Sequence, residues 1–287
     1  MDSAALSGIL KRPVSSVKRT PYPYGTSHRL ELVDVLLDDG SELQLLVKYL
    51  NHSDSGSSSL TVKPPFVLDP HREIEAYRLL ASADLGVPVC HAASDDWLLI
   101  EKVPGVELWQ LGELDAWARA ASWIAALHAH FRQTPPRSSH HLIRYDADYM
   151  RLWPERARVR EPQAAKMLTR HERAVEVLSA QPVTFVHGEY YASNVLIAGS
   201  RVAPVDWEMA GIGPGVLDIA ALATGWEKTK RDVLVDAYGA VDPDALNAAR
   251  LHLALQWLGW SADWTPPPEH SHDWLAEAFD AAERLSG

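Results

Sequence analysis

Two neighbouring segments near the start of the chain show the partial alternation of apolar and polar positions that is typical of β-strands. They are His28–Leu37 and Glu42–Leu50, and Asp38-Asp39-Gly40 lies between them. A short turn between two such runs predicts a β-hairpin. The first 27 residues show a mixed pattern, which is interrupted by Pro13, Pro21, Pro23 and Gly25.

A helix is predicted after the hairpin. Asp69 is suited to cap its first turn, and Pro70 is tolerated at the first helical position. Apolar residues then recur at helical spacing, at Ile74, Tyr77, Leu80 and Ala81. Gly86 predicts the end of this helix, and two further strands are predicted at Val87–Ala92 and Trp97–Val103.

From Leu111 onward the spacing of apolar residues changes to three and four, which predicts helices. After the first of them we expect further helices across 145–180, 216–239, 243–264 and 271–285. A short β-rich island is predicted among them, at Val183–His187, Val195–Ile197 and Val202–Val205. The chain therefore has a strand-rich first part and a helical second part that carries a small hairpin.

Charge and cysteine content narrow the class of protein. There are 27 Lys and Arg residues against 38 Asp and Glu, a formal net charge of −11. Nucleic-acid binding normally needs a basic patch, so this charge argues against a nucleic-acid partner. The only cysteine, Cys90, has no second cysteine for an internal disulfide. Neither a signal peptide nor an apolar run of about 18 residues is visible, so we expect a cytoplasmic protein with no membrane partner.

The densest group of candidate catalytic residues surrounds the small hairpin. A strand is predicted to end at His187, and a loop then presents a carboxylate, Glu189, and a carboxamide, Asn194. The returning strand ends at a second carboxylate, Asp206. We expect three oxygen donors at one end of a small sheet, of which Asn194 and Asp206 suit Mg²⁺. Glu189 is suited to orient or deprotonate a substrate hydroxyl.

The segment from His187 to Asn194 resembles the HxDxxxxN motif of the aminoglycoside phosphotransferase and choline kinase family. Asp206-Trp207-Glu208 resembles the metal-binding segment of the same family, and Ile212–Ala220 resembles the stretch that usually follows it. Gly188 stands where protein kinases carry arginine, which favours a small-molecule kinase over a protein kinase.

This resemblance implies an α+β fold of two lobes, as in protein kinases. A small β-rich lobe at residues 1–102 would bind the nucleotide, and a larger helical lobe at 103–287 would carry the catalytic loop and the acceptor site. The implied activity is transfer of the γ-phosphate of ATP or GTP to a hydroxyl of a small molecule, with Mg²⁺ bound by Asn194 and Asp206. The choice between ATP and GTP, the acceptor and the oligomeric state stay open.

A lysine inside an apolar run supports the match in the first part of the chain. Lys48 follows Leu45-Leu46-Val47, where an ammonium group needs a buried partner or a bound phosphate. By resemblance Lys48 contacts the α- and β-phosphates, and Glu73 on the next helix is its expected ion-pair partner. Other cofactor-binding residues implied by the resemblance are Gly25, Thr26 and Ser27 in the nucleotide-covering loop, and Glu101 and Val103 in the hinge between the lobes.

Glu189 departs from the family pattern, which has aspartate at this position. The additional methylene moves the carboxylate by about 1.5 Å, roughly one carbon–carbon bond. A misplacement of that size can cost about 10²-fold in rate. Two interpretations follow: an active kinase with a reshaped pocket, or a catalytically weakened protein that binds a nucleotide or another ligand.

Tryptophans recur at three and four residues near the end of the chain, at Trp257, Trp260 and Trp264. This pattern fits core packing of a helix, and it also fits aromatic rings that line the acceptor pocket. Glu208 has three open roles: a metal-shell ligand, a structural hydrogen-bonding group or a contact to the substrate. Acidic residues near these tryptophans suit a cationic acceptor, and choline-like amino alcohols, sugars, antibiotics and specialised metabolites all stay open.

Three further assignments concern residues without a predicted catalytic role. We expect His187 and Asp218 to be structural, with His187 bonded to the loop backbone and Asp218 bracing the catalytic loop. The histidine pairs lack metal-ligand spacing, which favours scattered surface histidines, at His128, His130, His140, His141, His270 and His272. Cys90 beside a strand is interpreted as a small buried hydrophobic residue.

Overall fold

The computed structural model describes residues 2–23, 28–50, 64, 67–136, 140–260 and 271–286. In its first part, five strands form one antiparallel sheet. They are β1 (Val14–Tyr22), β2 (Leu30–Leu37), β3 (Glu42–Tyr49), β4 (Cys90–Ser94) and β5 (Trp97–Glu101). Their order across the sheet is β1-β2-β3-β5-β4, so β2 and β3 form the predicted hairpin.

One face of this sheet is covered by a helix that the sequence pattern did not indicate. Helix α1 (Ser3–Leu10) begins at Asp2, whose carboxylate accepts a hydrogen bond from the Ala5 amide. Leu6 of this helix packs against apolar residues of the sheet, which are Val33, Val35, Leu37, Leu45, Val47 and Leu99. The edge strand β1 was also missed, because Pro21 interrupts its pattern and an edge position tolerates a proline.

The opposite face of the sheet is covered by helix α2 (Pro70–Leu80). The predicted cap is confirmed, since the Asp69 carboxylate accepts from the His71 amide at 2.9 Å. Ile74, Tyr77 and Leu80 are buried with Leu98 and Ile100 of β5. The helix ends six residues before Gly86, and β4 begins at Cys90 rather than at residue 87. Pro88 has no amide hydrogen for the sheet, which explains the later start.

Seven described helices follow in the second part. They are α3 (Leu114–Gln133), α4 (Ala147–Arg160), α5 (Leu168–Ser179), α6 (Val216–Leu222), α7 (Lys228–Tyr238), α8 (Pro243–Trp260) and α9 (Trp274–Arg284). The predicted helical spans 145–180 and 216–239 each divide into two helices. Pro162 opens a 3₁₀ segment in the first, and Gly225 adopts a positive φ of 80° in the second.

Six short strands in the second part form two three-stranded sheets, ordered β10-β9-β6 and β7-β11-β8. They are β6 (Val106–Glu107), β7 (Ile143–Arg144), β8 (Val183–Val186), β9 (Val195–Ala198), β10 (Arg201–Pro204) and β11 (Gly211–Pro214). The predicted β-rich island is confirmed as β8, β9 and β10. The loops that join these strands carry the candidate catalytic residues.

The architecture is the predicted α+β arrangement, with a sheet-rich first part and a helical second part. The expected lobe boundary at residues 102 and 103 falls between β5 and β6, and this division stays a prediction. None of the described helices combines the length and the apolar character that crossing a membrane requires.

Candidate active site

Asp218 holds the loop that begins at His187. Its carboxylate is fully buried and accepts from the amides of His187 at 2.7 Å and Gly188 at 2.9 Å. A third bond, of 3.0 Å, joins it to Nε2 of His128, which must donate because a carboxylate only accepts. The geometry confirms the structural role predicted for Asp218.

Gly188 allows this loop to pass close to its neighbours. Its φ is +83°, and a Cβ at this position would overlap the Tyr145 hydroxyl and the Met209 carbonyl oxygen. An arginine, as in protein kinases, would therefore not fit here without moving β11 or its flanking loop.

His187 connects the loop to the end of β10. Its Nε2 donates to the Val205 carbonyl at 3.0 Å, and its Nδ1 accepts from the Glu189 amide at 3.3 Å. Complete burial lowers the pKa of His187, which favours the neutral ring that this donor and acceptor pattern requires. His187 is thus bonded to the loop backbone, as predicted.

Lys48 joins the two parts of the molecule. Its Nζ lies 2.6 Å from Oε2 of Glu73 on α2 and 2.6 Å from Oδ1 of Asp206 after β10. The Lys48 and Glu73 side chains are only 9% and 2% exposed, whereas that of Asp206 is 31% exposed. Burial alone would lower the pKa of Lys48, but the Asp206 and Glu73 carboxylates outweigh it and hold this pKa well above its usual value. Lys48 is therefore a fixed cation beside a partly accessible carboxylate.

Asp206 adopts an uncommon backbone conformation, with φ at 65° in the left-handed region. Such conformations cost free energy and persist where neighbouring packing enforces them. Here Trp207 is the anchor, because its buried ring stacks on Phe185 at 5.8 Å and lies 4.4 Å from the His187 ring. The anchored tryptophan holds the backbone of Asp206, whose carboxylate stays partly exposed.

Asn194 and Asp206 come together through the short hairpin β9–β10. The Asn194 carbonyl accepts from the Val205 amide at 2.9 Å, beside Asp206. The Asn194 amide nitrogen donates to the Glu189 carbonyl at 3.0 Å, which turns the amide oxygen away from that group. A carboxamide oxygen and a carboxylate form a hard donor set that suits Mg²⁺. The two predicted metal ligands are therefore chemically fit for that ion.

Glu189 is half-buried at the centre of this loop. Burial raises the pKa of Tyr149, and the nearby charge of Glu189 raises it further. The pKa of Tyr145 is raised as well, mainly by burial and then by the nearby Tyr149 and Glu189. Two neutral phenols thus lie close to the carboxylate that the sequence assigns to the acceptor hydroxyl.

Arg72 is a site residue that the sequence pattern did not reveal. Its buried guanidinium donates to three carbonyl oxygens, those of Val67 at 2.6 Å, Glu208 at 2.7 Å and His141 at 2.8 Å. It thereby fastens α2, which carries Glu73, to the turn that carries Asp206. No motif marks such a residue, because all its acceptors are backbone atoms from separate segments.

Glu208 lies beside His28, with 3.2 Å between its Oε2 and the histidine Nε2. This contact crosses from the turn after Asp206 to the strand-rich part of the chain. It supplies a structural partner for Glu208, and the alternative roles in metal or substrate binding stay predictions.

The predicted hinge residues lie where β5 leaves the sheet. Arg201 binds both carboxylate oxygens of Glu101, at 2.6 and 2.8 Å, so this side chain is engaged within the protein. Val103 is buried. The contact of the hinge with a nucleotide base stays a prediction, and Gly25, Thr26 and Ser27 lie outside the described residues.

Comparison with known proteins identifies the family. The model of the phosphotransferase enzyme family matches residues 40–253, about three quarters of the chain. The chain belongs to this family. A comparison with curated protein sequences gives no significant match.

Solved structures of small-molecule kinases share the fold. Macrolide 2'-phosphotransferase MphH from Brachybacterium faecium aligns with a TM-score of 0.61 at 16% identity, over 98% of this chain and 96% of its own. Choline kinase from Cryptosporidium parvum Iowa II gives 0.59 at 14% identity, over 94% and 88%. APH(2")-IIa, in a ternary complex with streptomycin and ATP, gives 0.56 at 17% identity, over 89% of each chain. At these identities the likeness concerns the fold.

The two described tryptophans of the predicted C-terminal set have different surroundings in this phosphotransferase family member, and a role of Trp257 in the acceptor pocket stays a prediction. Trp260 is 7% exposed and stacks on Trp153 at 5.4 Å, so it packs in the core. Trp257 is half-buried; its indole nitrogen donates to the Tyr191 hydroxyl, two residues after Glu189. Trp257 also stacks on Trp274 at 5.2 Å. Trp257 thus lies close to the catalytic loop, and Trp264 is outside the described residues.

The prediction of scattered surface histidines is wrong for His128. It is fully buried between Asp218 and the Tyr238 hydroxyl, which lies 2.8 Å from its Nδ1. Its partners are 90 and 110 residues away in sequence, so the short His128/His130 pair does not indicate its environment. Cys90 is half-buried, and burial raises the pKa of its thiol to about 11, as suits an unreactive apolar residue.

Proposed function

We propose that the protein transfers the γ-phosphate of ATP or GTP to a hydroxyl group of a small molecule. The observation that carries this proposal is the buried Lys48, bonded at 2.6 Å to both Glu73 and Asp206. Membership of the phosphotransferase family and the ATP complex of APH(2")-IIa support the same nucleotide-dependent chemistry.

Lys48 is assigned to the α- and β-phosphates. An ammonium group has three hydrogen-bond donors; Lys48 donates one to Asp206 at 2.6 Å and forms an ion pair with Glu73. A remaining hydrogen is assigned to a phosphate oxygen. Glu73 is held in place from α2, so it keeps Lys48 oriented while the nucleotide enters and leaves.

Asn194 and Asp206 are assigned to Mg²⁺, which would neutralise charge on the phosphates during transfer. The amide oxygen of Asn194 and the partly exposed carboxylate of Asp206 provide the donor atoms. Because Lys48 already bonds Asp206, the cation that binds phosphate and the carboxylate that binds metal are positioned together.

Glu189 is assigned to the acceptor hydroxyl, which it would orient and deprotonate as the phosphoryl group leaves the nucleotide. Tyr191 and Trp257 form an aromatic wall beside this position, with ring centroids 5.5 Å apart. An aromatic wall and a carboxylate together favour an acceptor that offers a hydroxyl next to an apolar or cationic group.

The proposal is tested by a coupled assay for ADP or GDP release with a panel of amino alcohols, sugars and antibiotics. We expect one acceptor class to stimulate nucleotide turnover, and Asp206→Asn to reduce kcat by at least about 10²-fold, as loss of a preorganised charge does. The control is Asp232→Asn, a surface residue paired with Lys228. If Asp206→Asn turned over the active acceptor like the control, the metal assignment would be wrong.

The glutamate at position 189 favours a second candidate, a family member that binds nucleotide without efficient transfer. This alternative predicts that Mg-ATP stabilises the protein against heat while no acceptor stimulates turnover. Such a protein would gain activity when aspartate is restored at this position.

A further inference from the structure

Three side chains with metal-binding atoms meet at the start of α2, outside the phosphotransfer site. Asp69 and His71 belong to the first turn of this helix, and His141 precedes β7 in the second part of the chain. One ligand atom of each lies within 4.8 Å of the other two. We call these three residues the Asp69 cluster.

The distances in the Asp69 cluster are close to those of a coordinated ion. Oδ2 of Asp69 lies 3.1 Å from Nδ1 of His141, and Oδ1 lies 3.6 Å from Nδ1 of His71. Ligand atoms around a tetrahedral Zn²⁺ are about 3.3 Å apart, because each bond is about 2.0 Å. These two contacts use different oxygens of Asp69, so the three side chains must draw closer by side-chain rotation to bind one ion.

The surroundings hold these groups in place independently of any ion. Asp69 accepts from the His71 amide through Oδ1, which leaves Oδ2 directed towards His141. Oδ1 of the exposed Asp95 lies 3.5 Å from Nε2 of His71, on the side from which an outer carboxylate can orient a metal-binding histidine once an ion is bound. Arg72 donates to the His141 carbonyl and so fixes the backbone of the third ligand.

We propose that the Asp69 cluster binds one divalent transition-metal ion of the Zn²⁺ type, with water completing the coordination. Two imidazoles and one carboxylate suit such ions better than Mg²⁺, which prefers oxygen. The side chains are 24 to 43% exposed, so an ion reaches them from solvent. The two carboxylates, Asp69 and Asp95, exceed the single positive charge of Arg72, so the local charge also favours a cation.

The proposed ion would join the two parts of the molecule. Asp69 and His71 lie at the start of the helix that carries Glu73, the partner of Lys48, and His141 belongs to the second part of the chain. Binding would therefore restrain α2 relative to the helical part. The inference concerns metal binding and does not depend on the proposed transferase activity.

The test is a Zn²⁺ titration of the full chain, first freed of metal by chelation, against a chromophoric chelator. We expect the wild type to bind one Zn²⁺ ion per chain tightly. His71→Ala and His141→Ala should each bind it at least tenfold more weakly. The matched control is His130→Ala, which changes a partly exposed histidine of α3 that is not part of the Asp69 cluster. This variant should bind Zn²⁺ like the wild type. Circular dichroism verifies that each variant is folded.

Two further measurements separate a built site from adventitious binding. Co²⁺ should give visible absorption bands in the wild type that vanish in the His71→Ala, His141→Ala double variant, and Zn²⁺ should raise the melting temperature of the wild type alone. The proposal is overturned if the double variant still binds one Zn²⁺ ion tightly, or if the wild type binds no more tightly than the double variant.

Discussion

The position of the Glu189 carboxylate depends on the one methylene by which glutamate is longer than aspartate. Its backbone is fixed by the bond from its amide to His187 and by the bond that its carbonyl accepts from Asn194. The side chain therefore projects from a fixed backbone position, so its length limits how far the carboxylate reaches. The neighbouring phenols Tyr145 and Tyr149 are neutral and buried, so they shape the pocket without adding charge.

We predict that Glu189→Asp lowers kcat by about 10- to 10²-fold with the active acceptor, because the carboxylate withdraws by about one carbon–carbon bond from a pocket shaped for glutamate. Glu189→Gln should lower kcat further, since it removes the base. Steady-state kinetics measure both effects. Glu172→Asp is the control, an exposed glutamate paired with Arg151. A rate gain in Glu189→Asp would instead support the weakened-kinase alternative.

The catalytic loop is an element whose shape depends on a helix that follows it. Asp218 lies on α6, and its carboxylate accepts three bonds, from His128 on α3 and from two amides of the loop. Because the carboxylate is completely buried, none of these donors can turn to water instead. The loop and the two helices therefore act as one unit.

We predict that Asp218→Asn costs about 3 kcal/mol in the free energy of unfolding, since a neutral amide accepts fewer and weaker bonds and adds unsatisfied donors. It should also lower kcat more than it weakens nucleotide binding, because Lys48 and Glu73 are untouched. Urea unfolding and steady-state kinetics test this. The control Asp232→Asn should change stability by no more than about 0.5 kcal/mol. Equal stability of the two variants would contradict the bracing role.

Helices α5 and α8 bury two histidines against each other, His171 and His252, with 3.4 Å between their ring nitrogens. Burial, and to a lesser extent Arg151, lowers the pKa of His171 to about 4. Burial, followed by His171, lowers the pKa of His252 well below its usual value. Both rings are therefore neutral in the folded protein at neutral pH.

We predict that stability falls as the pH decreases from about 6.5, the unfolded pKa of histidine, towards about 4, the folded pKa of His171. In this window the unfolded chain binds protons that the folded protein does not, which costs up to about 1.4 kcal/mol per pH unit for each histidine. Urea unfolding at pH 7.5 and 5.0 measures the difference. This difference in the free energy of unfolding should be smaller in His171→Leu and unchanged in the control His130→Leu. If it were unchanged in His171→Leu, the buried histidine would not be its cause.

At the scale of the whole molecule, Lys48, Arg72 and His28 join the strand-rich part to the helical part around the turn that carries Asp206. Lys48 reaches Asp206, Arg72 reaches the carbonyls of Glu208 and His141, and His28 meets Glu208. Each joins a residue of the strand-rich part to a backbone or side-chain group near the catalytic turn. These contacts thus gather near the Lys48–Asp206 ion pair.

We predict that Lys48→Met weakens nucleotide binding by about 10- to 10²-fold, the loss expected for one charged hydrogen bond. The measured quantity is the rise in melting temperature that Mg-ATP causes in each variant. Since each variant is compared with its own ligand-free form, a change in the stability of the ligand-free protein does not affect this rise. Lys18→Met, on the exposed face of β1, is the control and should keep the full rise. An undiminished rise in Lys48→Met would remove Lys48 from the nucleotide site.

Much of the fold and part of the site were predictable, for local reasons. The hairpin β2–β3 and the cap of α2 follow from turn and capping residues that are adjacent in sequence. A partner for Lys48 was predictable because a lysine in an apolar strand needs a buried partner or a phosphate, and the family resemblance pointed to Glu73. Short strands such as β6 and β7 were missed, since two residues are too few to show an alternating period.

Sequence alone determined which residue types stand at the catalytic loop, where the strands and helices alternate, and which lysine needs a carboxylate. These properties depend on neighbours along the chain, so a pattern is able to show them. Tertiary structure decided that Asp206 joins Glu73 at Lys48, that Arg72 fastens α2 across the cleft, and that Trp257 rather than Trp260 lies beside Tyr191. These contacts join segments far apart in the chain, and only the packing of whole elements sets such distances.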